Sequence, residues 1–152
     1  MQTRVVDGIR VELTADEIAQ REAELANPPA PKPDQVNRER DRRLAADFEF
    51  QGKMYQRDDK SIQRITGAAT LAGFAVAQGA QPEDYNWHGG DQPFAWIASD
   101  NSLNLMDAQT AFAFGAECAN VETRIVFAAK ALREMDPIPH DYADDRHWPD
   151  AG

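Results

Sequence analysis

Cysteine occurs once, at Cys118, which excludes an internal disulfide framework and a cysteine-based zinc site. Positive charge is scarce: 16 Lys and Arg stand against 26 Asp and Glu, a net charge of −10. A chain so balanced lacks the clustered cations that displace counterions from nucleic acid or hold a protein on an anionic membrane surface. No stretch comes near the roughly 20 apolar residues of a membrane span. Met1 to Arg10 has neither the basic region nor the apolar run of a signal peptide. Histidine is confined to His88, His140 and His147, with no His-Glu-x-x-His pair, and Gly89-Gly90 is too short to be a phosphate-binding loop. What is there, in 152 residues, is 42% hydrophobic and 28% charged. That composition predicts one soluble globular domain with room for extensions, made in a reducing cytoplasm.

Asp7-Gly8 separates two β-branched runs between Arg4 and Leu13, the signal of a two-residue hairpin turn. Thr14 and Glu17 then form a capping box, predicting a helix over Ala15 to Ala26 with a thin apolar face of Ile18 and Leu25. The stretch Asn27 to Asp34 reads NPPAPKPD, whose prolines favour extended polyproline II. It is either a plain linker or a reach between two attachment points. Asp34 should cap a helix to about Asp47, buried along Val36 and Leu44, with Arg38 to Arg43 as a solvated face of mixed charge. Phe48 to Gln56 reads as a hairpin about Gln51-Gly52, and Asp58, Asp59 or Ser61 should cap a helix over Ile62 to Gln78 ended by Gly79. Pro93 to Met106 predicts two strands around Asp100-Asn101. Asp107 should cap a long helix to about Met135, stopped by Pro137 and Pro139. Its stripe of Cys118, Ile125, Ala129 and Leu132 suits either a neighbouring helix of the same chain or a seam in a homo-oligomer, a trimer above all. The glycines and alanines of the Ile62–Gln78 helix (Gly67, Ala68, Ala69, Ala72, Gly73) and of the long helix (Ala111, Gly115, Ala116, Ala119) predict close packing of the two.

The fold class is therefore α+β, helix-rich with short antiparallel strand pairs, preceded by a small β-hairpin–helix module. The divisions are an N-terminal module over 1–27, a proline-rich linker over 28–37, the α+β domain over 38–136 and an acidic irregular tail over 137–152. The expected core is Leu44, Phe48, Phe50, Tyr55, Ile62, Ile65, Ala69, Val76, Trp96, Ile97, Leu103, Leu105, Phe112, Ile125 and Leu132.

No catalytic pair of carboxylates and no nucleophile–base pair can be placed. Cys118 lies mid-helix among alanines and reads as a buried inert thiol. Trp87 and Trp96 suit core anchors better than a sugar platform. His140, Asp141, Asp144, Asp145 and His147 could hold a divalent ion, but an irregular acidic tail is the commoner case. The reading is of a non-enzymatic protein with no metal and no cofactor.

Several segments carry a resemblance. ERDRRLAADFEFQGKMYQ (Glu39 to Gln56), SIQRITGAATLA (Ser61 to Ala72), PFAWIASDNSLNLMDAQT (Pro93 to Thr110) and the closing helix resemble the domain-of-unknown-function 4376 family of bacteriophage tail-associated proteins. DGIRVELTADEIAQREAE (Asp7 to Glu24) is similar to the leader of many phage tail proteins, and MDPIPHDYADDRHWP to a phrase from the ends of others. The resemblance implies a structural protein of the virion tail, made in the bacterial host cytoplasm, that attaches a tail fibre or completes the tail tip. It implies other tail proteins, fibre or hub, as partners, with a tail-fibre assembly chaperone absent from the particle as the alternative. It brings no catalytic residues. The candidate partner-binding residues are Val5, Val6, Ile9, Val11 and Leu13 of the hairpin, whose edge strand a partner sheet could extend, together with Trp148.

Overall fold

A computed structural model describes residues 1–149. Strands β1 (Thr3–Val6) and β2 (Ile9–Glu12) pair antiparallel. Asp7 and Gly8 both have positive φ, 49° and 82°, as the tight turn between twisted strands demands. Helix α1 (Ala15–Ala26) begins in the predicted capping box. The Glu17 amide donates to Thr14 Oγ1 at 3.3 Å, and the Thr14 amide donates to the Glu17 carboxylate at 2.9 Å. An Arg4–Glu17 ion pair at 2.6 Å ties hairpin to helix. None of these three elements buries a residue.

Helix α2 (Pro33–Leu44) starts inside the stretch assigned to the linker. Pro33 occupies the first helical position, where its missing N–H is not needed and its φ is already helical. The helix therefore starts before Asp34 and stops at Leu44, short of Asp47. The linker is correspondingly shorter, and Val36, assigned to its last residues, is wholly buried.

Strands β3 (Phe48–Phe50) and β4 (Lys53–Tyr55) form the second hairpin, turning at Gln51-Gly52. Asp58 caps α3 (Asp59–Ala77), so this helix starts ahead of Ile62. Strands β5 (Ala95–Ile97) and β6 (Leu103–Leu105) form the third hairpin, and Asp107 caps α4 (Ala108–Arg133).

Helix α4 is the axis of the domain, with α2 and α3 both packed against it. Its buried line runs Ala108, Ala111, Phe114, Cys118, Val121, Ile125, Ala129, Leu132, steps of three or four residues that keep to one face of a helix. The stripe suggested as a homo-oligomer seam is thus consumed inside the subunit, which removes the ground for a trimer built on it. Phe114 gathers four rings: Tyr55 at 4.8 Å, Phe48 and Phe50 at 5.3 Å, and Trp96 at 5.4 Å between centroids. At the α3–α4 crossing a Cβ on Gly115 would collide with Ala69 Cβ, and one on Gly73 would lie 3.2 Å from the Phe112 ring. Close packing of the two helices is as predicted, although Gly67 faces open space and Ala116 and Ala119 are exposed.

Five expected core residues are exposed: Val76, Ile97, Leu103, Leu105 and Phe112. Trp96 and Ile97 are adjacent in one strand and must point to opposite faces. With Trp96 inward, Ile97 and its cross-strand partner Leu103 point outward, as does Leu105 opposite Ala95. The α3 seam follows Ile65, Ala69, Ala72 and Ala75, leaving Val76 one position further round the helix. Phe112 covers Gly73 from the rim of the crossing and stays half exposed.

The tail also departs from expectation. Among its described residues it is irregular apart from one 3-10 turn over Asp145–His147, yet Ile138 and Trp148 are part of the core. Residues 150–152, the end of the tail, lie outside the described residues. Among the described residues no helix is long and apolar enough to cross a membrane.

Candidate docking surfaces

The register of the first hairpin sets Val6 opposite Ile9 and Arg4 opposite Val11. Val6, Ile9 and Val11 therefore share one face, continued by half-buried Leu13, while Val5 lies on the other face opposite Arg10. Val5 and Ile9 are 66% and 67% exposed, far from what β-branched residues of a strand experience in a closed core. Leu13 N–H donates to Gln2 C=O at 3.0 Å, which fixes the bonding alternation of the ladder. The inward-bonding residues of β2 are Ile9 and Val11. The backbone groups of Arg10 and Glu12 face the open edge of β2, and those of Thr3 and Val5 the open edge of β1.

Trp148, grouped with these residues from sequence, is held elsewhere. It is 6% exposed, its Nε1–H donates to Tyr142 C=O at 2.7 Å, and the Arg43 guanidinium lies 4.9 Å over its ring. It anchors the tail to α2 rather than offering an apolar surface to a partner. Arg43 also bonds Glu39, the Ala143 carbonyl and Asp145. The charged face of α2 is therefore partly a clamp. The hydrogen bond from Arg42, with Arg43 beside it, holds the Glu39 carboxyl below its ordinary range against some desolvation.

The third hairpin offers a second apolar surface. Ala95, Ile97, Leu103 and Leu105 share its outer face, with Ile97 60% and Leu103 67% exposed. Strict alternation in PFAWIAS would have revealed this face in the sequence, since Trp96 and Ile97 cannot both be inward. Ala98 N–H bonds Ser102 C=O, and Met106 N–H bonds Phe94 C=O, so Phe94, Trp96 and Ala98 bond toward β6. Ala95 and Ile97 face the opposite edge. That edge is taken over by β4 only at Ser99, whose N–H donates to Met54 C=O at 2.8 Å. A Lys53–Asp100 ion pair at 2.9 Å fastens the same junction. Beside the uncovered part lies a groove of about 490 Å³ lined by Gln56, Ser61, Arg64, Trp96 and Asn101 among others. Among the described residues Arg64 has no carboxylate within 4.0 Å and donates no hydrogen bond.

The residues that suggested other chemistry are engaged structurally. Trp87 Nε1–H donates to Met106 C=O at 3.0 Å, with its ring 4.8 Å from Phe94. In the tail, His147 Nε2 lies 2.8 Å from Asp141, which Arg146 also pairs, and Asp144 accepts from the Arg146 amide. Among the described residues no group of three His, Cys, Asp or Glu side chains is placed to hold a metal ion. Arg57 went unnoticed in the sequence. It is almost wholly buried, and its guanidinium bonds the Leu44 carbonyl at 2.9 Å and the Cys118 carbonyl at 3.3 Å, with Glu122 at 3.5 Å. It joins the end of α2 to the middle of α4.

The class these features define is an α+β domain of helices and strand pairs that carries an exposed hairpin–helix arm. Over residues 27–145 it matches the family described as Domain of unknown function (DUF4376), and the chain belongs to that family. The match begins at the proline spacer and ends within the tail, so it covers the domain and leaves β1, β2 and α1 outside. No curated protein and no solved structure matches the chain.

Proposed function

We propose that this protein is a non-enzymatic structural component of a phage virion tail, attaching a fibre or completing the tail tip after synthesis in the host cytoplasm. The observation that carries the reading is the N-terminal arm. Its segment Asp7 to Glu24 resembles the leader of phage tail proteins, lies outside the family domain and buries none of its side chains. A proline spacer holds it away from the domain. An arm of exposed β-branched residues with open strand edges suits docking by strand addition, with another tail protein as the receiving side. The test is mass spectrometry of purified particles carrying either the full chain or a chain starting at Thr14. The full chain should be present and the shortened one lost. Full occupancy of the shortened chain refutes the arm as anchor. Absence of the full chain from particles that still need it for fibre assembly makes it an assembly chaperone.

A further inference from the structure

The first hairpin and the β5 edge complement each other, and we infer that β2 of one copy adds to the open edge of β5 in a second copy, with Glu12 meeting Arg64. The inference rests on the hairpin being a docking element and names its partner as another copy of the chain. Charge selects the strand. The β1 run, Thr3 to Val6, carries no carboxylate, whereas β2 carries Glu12, which among the described residues has no cation within 4.0 Å.

The faces select the direction. In an antiparallel pair, residues directly opposite each other bond in the same sense. That would put Arg10 and Glu12 beside Ala95 and Ile97 on the apolar outer face, and Ile9 and Val11 against Arg64. In a parallel pair, an edge-bonding residue lies opposite one that is not. Val11 then sits opposite Ile97, extending the apolar face of Ile97 and Leu103. Arg10 falls opposite Trp96 and Glu12 opposite Ala98, on the groove side with Arg64. Ile97 N–H donates to Arg10 C=O and Ile97 C=O accepts from Glu12 N–H, all four groups being among those open at the two edges. The new strand ends where β4 already occupies the β5 edge at Ser99. The contact joins two different surfaces, so it is heterologous and propagates from copy to copy.

Sedimentation of the full chain between about 5 and 500 µM, the range of a small, transient interface, tests this. Concentration-dependent association is expected. Glu12→Arg and Arg64→Glu should each weaken it about tenfold or more through like-charge juxtaposition, and the two together should restore it. Both side chains are exposed, so unchanged circular-dichroism melts are the control for folding. A chain that stays monomeric throughout, or single reversals that associate as the wild type does, overturns the inference. If the chain stays monomeric while the chain starting at Thr14 is still lost from particles, the arm docks elsewhere and the proposed function stands. If the charge swap behaves as expected and particles never contain the protein, self-association stands and the virion role falls.

Discussion

Replacing Gly115 by alanine and Gly67 by alanine makes the same chemical change on the two helices that cross at the centre of the domain, and the two should shift stability in opposite directions. A Cβ at Gly67 meets nothing within 4 Å. There, alanine only removes glycine's excess backbone freedom in a helix, worth about 0.5–1 kcal/mol of added stability. A Cβ at Gly115 runs into Ala69 Cβ, with Ala69 Cα and Ile65 C=O each 3.7 Å away. Ordinary carbon contacts sit at about 3.5–4.0 Å, and neither neighbour is the loose end of a long side chain, so α3 and α4 must separate. Helix propensity cancels between the two variants, leaving the overpacking cost, about 1–3 kcal/mol, as their difference. At about 2–4 °C per kcal/mol for a domain of this size, their thermal midpoints should differ by several degrees. Adding Ala69→Gly to Gly115→Ala removes the opposing methyl and should return most of the loss, less about 1 kcal/mol of propensity. A Gly115→Ala protein that melts at or above Gly67→Ala would refute the close approach of the helices.

Arg57→Ala should destabilise, since it leaves the Leu44 carbonyl at the end of α2 without its donor; the Cys118 carbonyl loses its second donor but keeps its bond within α4. At about 1–3 kcal/mol for a buried group left unsatisfied, urea unfolding should show a loss of about that size. Trp148→Ala, at the 6% exposed anchor of the tail, should cost about 3–5 kcal/mol, and a loss under about 1 kcal/mol would mean the tail is dispensable. Stability should also fall on acidification. The Ser61 amide and hydroxyl hold the Asp58 carboxyl below its ordinary range. At Asp107, desolvation is outweighed by hydrogen bonds from the Glu83 and Thr110 amides, so its pKa is lowered too. A pKa lower in the folded state gives stability that is present above the unfolded value, near 3.8, and is lost as pH falls through the folded value. Asp58→Asn, which keeps the cap without the titration, should flatten that acid slope while leaving the neutral-pH melt nearly unchanged.

The elements most legible in the sequence were those set by local chemistry. Asp7-Gly8, the Thr14–Glu17 box, Asp107 and Gly79 each act within a few residues, and the structure places a turn or helix end at each. Where the outcome depended on which face meets the rest of the chain, local pattern was not enough. Ile97, Leu103 and Leu105 read as core because they are apolar, but a two-stranded hairpin has one face to give to the core and Trp96 takes it. Trp148 and Arg43 lie far apart in sequence, and nothing near either one signals that they stack. The arm's apolar residues could be named as a docking candidate because a two-stranded hairpin leaves strand edges open. The open edge of β5 could not, since it exists only because β4 turns away before reaching Ile97.

The clamp between α2 and the tail bears on the timing of synthesis. Arg43 bonds Asp145, 102 residues further along the chain, and a loop of that length carries a closure entropy of roughly 4 kcal/mol. While the chain grows on the ribosome, α2 therefore waits uncovered at least until α4 has emerged, and Arg43 waits longer, until the tail arrives. The first hairpin and α1 need nothing beyond Ala26. The strand edges of the arm can thus meet a partner before the domain that carries it has closed.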